Sequence, residues 1–324
     1  MHIAIIGVGG IGSRHLQAVA QIKRQVSIHL VDTSKESLEK AMKLYNGVSH
    51  THINIIESYN CISNLPKELD IVIIATSSGP RKTVIKELLE NSKVKYMILE
   101  KFLFPEIKDY SEVSELLEQH SCKAWVNCTR RMFDFYRELH EDMKDEIIES
   151  FEVNGVNWGL GCNGVHFLDI LAFISRNSDG FIFNASKLEK GYINSKRDGY
   201  IEFLGTMKGV SKKCKNILLS CHDGDKLSCT IVIKSLNYKY EIDENNHKAK
   251  KTFLSKDYVT EAVEFSFLYA VQSTGILIEQ LMETGDCMLP GYEESIKLHI
   301  PYLEAFLRHL NENSKTEVTI CKIT

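Results

Sequence analysis

No run of apolar residues in this 324-residue chain approaches membrane-spanning length, no two cysteines stand in C-x-x-C spacing, and there is no internal repeat or low-complexity segment. Each absence removes a class of function. Nine cysteines, an odd number without paired spacing, suggest neither a disulfide framework nor a zinc site, so reduced thiols and no metal are expected. Positive residues are scattered and the net charge is −4, which leaves no electrostatic footprint for nucleic acid. The basic stretch 247–251 reads as a solvated turn between strands. Met1 leads directly into an apolar segment with no room for a signal peptide, so a cytoplasmic protein without a membrane partner is the expectation. The sequons at Asn127-Cys128-Thr129 and Asn184-Ala185-Ser186 are then accidental.

What is present begins at once. Ile3 to Ile6 form an apolar run suited to a parallel strand buried on both faces. It stops at Gly7-Val8-Gly9-Gly10-Ile11-Gly12, which fits G-x-G-x-x-G: Gly7 for the tight turn, Gly9 for close approach of a pyrophosphate, Gly12 for packing of helix on strand. A helix over 11–23 would offer the N–H groups around Gly10 and Ile11 to the diphosphate. A second strand over 26–31 ends at Asp32, 25 residues after Gly7. A carboxylate there accepts from ribose hydroxyls and repels a 2′-phosphate, so NAD(H) is favoured over NADP(H), with Lys35 and Arg24 the nearby basic residues that argue otherwise.

Helices over 34–45, with Ser34 as N-cap, and 81–91 alternate with strands at 53–56, 70–76 and 96–101. Ala75, Thr76 and Ser77 lead into a loop at the carboxyl edge, over the cofactor, and the last strand ends in Glu100 and Lys101, where substrate should sit. This alternation predicts a doubly wound parallel sheet, a Rossmann domain over 1–120. Residues 121–324 read as an α/β domain for substrate binding and oligomerisation: strand 123–127, helix 133–143, strand 147–158, a glycine-rich turn at 159–164 and a buried helix at 165–175. Strand-like segments at 180–186, 199–206, 215–221, 227–234 and 237–243 predict a mostly antiparallel open sheet. Helical patterning returns at 259–282 and 292–310, and the chain closes with a strand or tail at 317–323.

Four features coincide: the glycine signature, Glu100-Lys101, Asn127-Cys128-Thr129-Arg130-Arg131, and Gly161-Cys162-Asn163-Gly164-Val165-His166-Phe167-Leu168-Asp169. In this order and spacing they resemble the glucose-fructose oxidoreductase / inositol dehydrogenase / MocA (Gfo/Idh/MocA) family. The resemblance implies a two-domain NAD(P)-dependent oxidoreductase acting on sugars, polyols or their nucleotide conjugates. Lys101 matches the lysine of the family's Glu-Lys-Pro motif, with Phe102 in place of proline, and His166 matches the catalytic histidine that ends Asp-x-x-x-His, with Cys162 at the aspartate. Where family members often carry Asn-x-x-His after the fourth strand, this chain has Ser78-Gly79-Pro80-Arg81, and Arg81 reads either as a contact to cofactor or acidic substrate or as a helix-surface residue.

Oxidising a secondary alcohol needs a hydride acceptor, a base at the hydroxyl and a cation for the developing alkoxide. His166, of the side chain that titrates near neutral pH, is the expected base and Lys101 the expected cation. Cys162 orients them only as a thiolate; as a neutral thiol it packs like a small hydrophobe. Asn127, Arg130, Asn157, Asn163 and Tyr192 are the expected substrate residues, and Glu100 and Lys101 also border the cofactor. The expectation is an NAD-dependent oxidoreductase of a sugar-like substrate, assembled as a homodimer or homotetramer through its sheet face. Two alternatives stand beside it: a catalytically weak NAD-binding sensor or regulator, and a reductase of imine-type, non-sugar bonds.

Overall fold

A computed structural model describes residues 1–49, 52, 55–255, 257–266, 270–312 and 314–324. The chain divides into two compact units that interleave in sequence, where the motifs suggest one boundary at residue 120. The first comprises Met1–Phe104, Lys108–Thr129 and Leu268–Tyr292; the second comprises Pro105–Ile107, Arg130–Phe267 and Glu293–Thr324.

In the first unit the order is β1 (His2–Ile6), α1 (Gly10–Val19), β2 (Ser27–Val31), α2 (Lys35–Asn46), β3 (Ile55–Tyr59), β4 (Glu68–Ile74), α3 (Ser78–Asn91), β5 (Lys93–Leu99), α4 (Lys108–Gln119) and β6 (Lys123–Val126). The strands form one parallel sheet in the order β3-β2-β1-β4-β5-β6. Strand order reverses between β1 and β4, the switch point at which doubly wound folds bind ligands. Ile3, Ile5, Ile28, Leu30, Ile71 and Ile73 are fully buried, which accounts for their unbroken apolar runs. Ser34 caps α2, its side chain accepting from the Ser37 N–H at 3.2 Å. Of the strand expected at 53–56, Ile53 and Asn54 lie outside the described residues, and β3 starts at Ile55.

The second unit continues with α5 (Asp134–Asp142), β7 (Ser150–Val156), α6 (Leu160–Ser175), β8 (Ile182–Leu188), β9 (Ile193–Asn194), β10 (Ile201–Glu202), β11 (Gly205–Ser211), β12 (Cys214–His222), β13 (Ser228–Lys234), β14 (Tyr238–Asp243), β15 (Lys248–Phe253) and β16 (Val259–Glu264). After α7 (Ala270–Thr284), which belongs to the first unit, α8 (Tyr292–Glu312) closes the helices and runs through Pro301. The main sheet has eight strands in the order β16-β15-β14-β13-β7-β12-β11-β8, antiparallel except for the parallel pair β7·β12.

Three local expectations are corrected here. The glycine-rich turn at 159–164 is largely helix: Gly159 takes the left-handed conformation at φ 82° and α6 starts at Leu160. Of the basic stretch 247–251 His247 alone lies in the turn, because Lys248 to Lys251 pair with Asp243 to Tyr240 in the sheet. The segment 259–264 is strand rather than helix, since its alternating residues pair with β15, as Val263 does with Ala249. Of the closing segment, Ile320 makes an isolated bridge to Glu106.

Two ion clusters lie inside the second unit. Arg131 donates to both Asp169 oxygens at 2.6–3.0 Å and to Glu294 at 2.7 Å. Arg130 clasps Glu244 with two bonds of 2.7 Å, and the Tyr136 hydroxyl donates to the same carboxylate at 2.6 Å. Burial pushes the Glu244 carboxyl up, but Arg130 and Tyr136 outweigh it and hold the group below the ordinary range. Its stabilising contribution is therefore complete above about pH 4.5, the unfolded value, and is lost as pH falls through the lower folded one. Glu244→Gln should cost roughly 3 kcal/mol at pH 7 by urea denaturation, with the gap to the native protein narrowing below about pH 4.

Candidate functional site

The turn after β1 is built by glycine. Gly7 has φ 86°, and its N–H donates to Val31 O at 2.8 Å, closing the turn against the end of β2. A Cβ on Gly12 would lie 2.0 Å from the Gly7 carbonyl oxygen, so only glycine lets α1 seat here. At Gly9 and Gly10 a Cβ would meet nothing within 4 Å. The first turn of α1 carries no acidic residue and its N-cap Gly9 makes no side-chain cap bond, so no acid of the helix itself offsets its N–H groups and positive end. An anion such as a diphosphate fits that cradle. Asp32 is fixed beside it: Oδ2 accepts from Val8 N–H at 2.9 Å and Oδ1 from Ser34 N–H at 2.8 Å, and each oxygen retains a lone pair for a ligand hydroxyl. A cavity of about 1040 Å³ opens from Asp32 between α2 and the end of β3, lined by Leu38, Met42, Tyr59 and Asn60 among others.

The loop after β4 borders the same turn. Ala75 N–H donates to Ile6 O at 2.8 Å, and Thr76 N lies 2.8 Å from where a Gly7 Cβ would be. Thr76 Oγ1 is buried and has no hydrogen-bond partner among the described residues, while Ser77 is the N-cap residue of α3. Arg81, on the first turns of α3, is 1% exposed and is therefore no surface arginine. Its guanidinium donates to the carbonyl oxygens of Thr76, Phe102 and Leu103, the last at 2.9 Å.

Beyond β5, Glu100 is buried and Lys101 half-buried. Glu100 Oε1 accepts from Asn127 Nδ2 at 2.5 Å and meets His15 Nε2 at 3.0 Å, and the other ring nitrogen of His15 reaches Thr274 Oγ1 on α7 at 2.8 Å. Burial pushes the Glu100 carboxyl up, yet the bonds from His15 and Asn127 and the charge of Lys101 hold it below the ordinary range. Asn127 Oδ1 is buried without a hydrogen-bond partner among the described residues. Glu100, Lys101 and Asn127 are thus brought together, and His15 and Thr274 join them unforeseen. The signal for His15 was available: it is three residues past Gly12, among the buried positions of α1.

In the second unit α6 carries Cys162, Asn163 and His166. Cys162 and His166 are four apart and share a helix face, both half-buried. Glu202, absent from the sequence expectations, takes the helix's free donors: Gly161 N–H and Cys162 N–H each reach it at 2.8 Å. A lone acid in the apolar run Tyr200-Ile201-Glu202-Phe203-Leu204 was the clue. The Cys162 sulfur lies 3.8 Å from Gly159 O, and Asn163 Nδ2 donates to Trp158 O at 2.6 Å. Arg130 is committed to Glu244 and lies 5.0 Å over the Phe167 ring. Asn157 has φ 51° and donates to Gly224 O, whereas Tyr192 is 58% exposed ahead of β9. Among the described residues no cluster of histidine, cysteine and carboxylates could hold a metal ion, and no helix is long and apolar enough to cross a membrane.

Residues 1–128 match the Gfo/Idh/MocA family model, described as an oxidoreductase family with an NAD-binding Rossmann fold. No curated protein sequence matches the chain. Among solved structures it is similar to an oxidoreductase from Agrobacterium radiobacter in complex with NAD+, L-tartaric acid and magnesium, with 14% identity over 97% of each chain and a TM-score of 0.73. It is similar also to UDP-N-acetylglucosamine 3-dehydrogenase from Acidithiobacillus ferrooxidans, with 13% identity over 97% of this chain and 99% of that one and a TM-score of 0.73. A third is the super-repressor mutant of Gal80p from Saccharomyces cerevisiae, with 14% identity over 97% and 96% and a TM-score of 0.72. At these identities the likeness shows the fold.

The two open glycines and the closed one separate binding from stability. Gly9→Ala should leave the melting temperature unchanged and weaken NAD+ binding by roughly tenfold or more, because its methyl enters only the ligand's space. Gly12→Ala should instead lower the melting temperature, which calorimetry of both variants would show.

Proposed function

We propose that this protein, whose residues 1–128 match the Gfo/Idh/MocA oxidoreductase family model with its NAD-binding Rossmann fold, is an NAD-dependent oxidoreductase acting at a CH–OH or carbonyl carbon of a sugar, polyol or nucleotide-sugar. The observation that carries this reading is the α1 N-terminus, without an acid of its own, with Asp32 fixed beside it. Asp32 supports NAD over NADP, because a 2′-phosphate would meet a carboxylate already locked in place. The dehydrogenase of a nucleotide-sugar among similar folds supports the substrate class.

When bound, NAD supplies the hydride acceptor in oxidation and the donor in reduction. The chain's own groups handle the oxygen and the proton. Lys101, at the carboxyl end of β5, is assigned to the reacting oxygen, which its ammonium steadies as negative charge develops. His166 is assigned to the hydroxyl proton; its Nδ1 is buried, so exchange falls to Nε2. Glu100, Asn127 and Asn163 are positioned by the bonds described above, and Cys162 is a packed thiol rather than an acid–base group. Arg130 and Asn157 serve by holding their segments, and Tyr192 stands exposed ahead of β9.

One observation favours a second reading, an NAD-binding sensor or regulator: the aspartate of the family motif is Cys162, with its sulfur against a backbone carbonyl, and a repressor shares the fold. Lys101→Met and His166→Asn should each lower turnover by about 10²- to 10⁴-fold, followed at 340 nm with a panel of sugars, polyols and nucleotide-sugars, while NAD+ still binds. Binding of NAD+ with no turnover of any panel member by the unaltered protein would favour the sensor. The protein is proposed to be cytoplasmic and to form a homodimer or homotetramer through the sheet face that carries Leu218, Val232 and Glu241. Sedimentation velocity should show an assembly at micromolar concentration, and a monomer throughout would contradict it.

A further inference from the structure

The chain leaving β5 is held from three sides. His15 and Asn127 bond Glu100; the buried Tyr110 hydroxyl donates to Phe104 O at 3.0 Å and accepts from Phe104 N–H at 3.4 Å; Arg81 donates to Phe102 O and Leu103 O. Phe102, Leu103 and Phe104 are completely buried and Glu100 nearly so, which leaves Lys101 as the half-exposed residue of the segment. Arg81 also bonds the loop after β4, through Thr76 O. Thr76 in turn lies against the Gly7 turn, its N within 2.8 Å of a Cβ built there. A single buried guanidinium therefore joins the backbone beside the diphosphate cradle to the backbone immediately after Lys101. The fork geometry matters, since it presents several donors in one rigid plane and a lysine ammonium does not.

We propose that Arg81 is a positioning residue for Lys101, fixing the lysine relative to the dinucleotide turn so that occupancy of the cradle is registered at its ammonium. The proposal rests on the reading of Lys101 given above. It differs from both sequence expectations for Arg81, which had it touch a ligand or face solvent.

The test reads Lys101 directly. Lysines of the full chain are reductively methylated with 13C-formaldehyde, Lys101→Arg identifies the Lys101 signal, and NAD+ is titrated while its affinity is followed by calorimetry. In the unaltered protein the Lys101 signal should move with NAD+ saturation. In Arg81→Lys, NAD+ affinity should stay within about threefold and the Lys101 signal should no longer move. Arg81→His, which restores the residue family members often carry at this place, serves if the lysine variant does not fold, with the same criteria. A Lys101 response as large in the folded variant as in the native protein overturns the proposal, as does loss of NAD+ binding by a folded variant, which would make Arg81 a part of the cradle itself. A native Lys101 signal indifferent to saturating NAD+ fails at an earlier point: it removes Lys101 from the active site, and the proposal with it.

Discussion

Polar groups taken out of water must be matched by partners inside the protein, and that constraint is concentrated at the end of β5. A carboxylate, an imidazole, an amide and a guanidinium are all buried around one five-residue segment. His15 and Asn127 both meet Glu100 Oε1, and the Arg81 guanidinium takes the carbonyl oxygens of Phe102 and Leu103. The neighbouring apolar residues follow from the same requirement: Phe102, Leu103 and Phe104 exclude the water that would otherwise compete for the carbonyl oxygens Arg81 uses. What emerges is an exit from the sheet in which Lys101 is the half-exposed residue.

The second unit solves a related problem at the start of α6. Gly159 turns the chain, and the helix donors that such a start exposes are taken by Glu202, with Tyr302 bonding Leu160 O at 2.7 Å from the other side. The two helix N-termini thus have opposite fates. That of α1 is left open by its glycines and suits an external anion, whereas that of α6 is filled from within by an acid of the same chain.

The parallel sheet and its cofactor cradle were legible because local pattern and tertiary role agree there: apolar runs of Ile3 to Ile6 and Asp70 to Ile74 can only be central strands, and glycine spacing reports backbone geometry directly. Legibility failed where pairing over distance decides the outcome. Lys248 to Phe253 looks polar and turn-like, and becomes strand because β14 and the segment at 259–264 lie alongside it. Cys162, Asn163 and His166 were recognised as a group, and His166 was placed on the helix over 165–175, but the helical setting of Cys162 and Asn163 was not, since glycines at 159, 161 and 164 argue against a helix until Glu202 and Tyr302 are in view. Arg81 and His15 were hardest to place. Nothing local distinguishes a buried arginine that bonds carbonyls from one that faces water.

The bond between His15 and Thr274 joins residues 259 positions apart within a single unit, and α7 reaches α1 again where Lys23 N–H donates to Glu279 at 2.9 Å. On the ribosome, strands β1 to β6 emerge first, but the helix that covers α1 is made only after the whole eight-stranded sheet has been translated. During that interval α1 presents to solvent, or to a chaperone, the surface that α7 will later bury, and His15 and Glu100 wait for their outer partner. The first unit is therefore begun before the second and finished only after most of it, so a chain cut short before residue 270 would hold its dinucleotide fold with one wall missing.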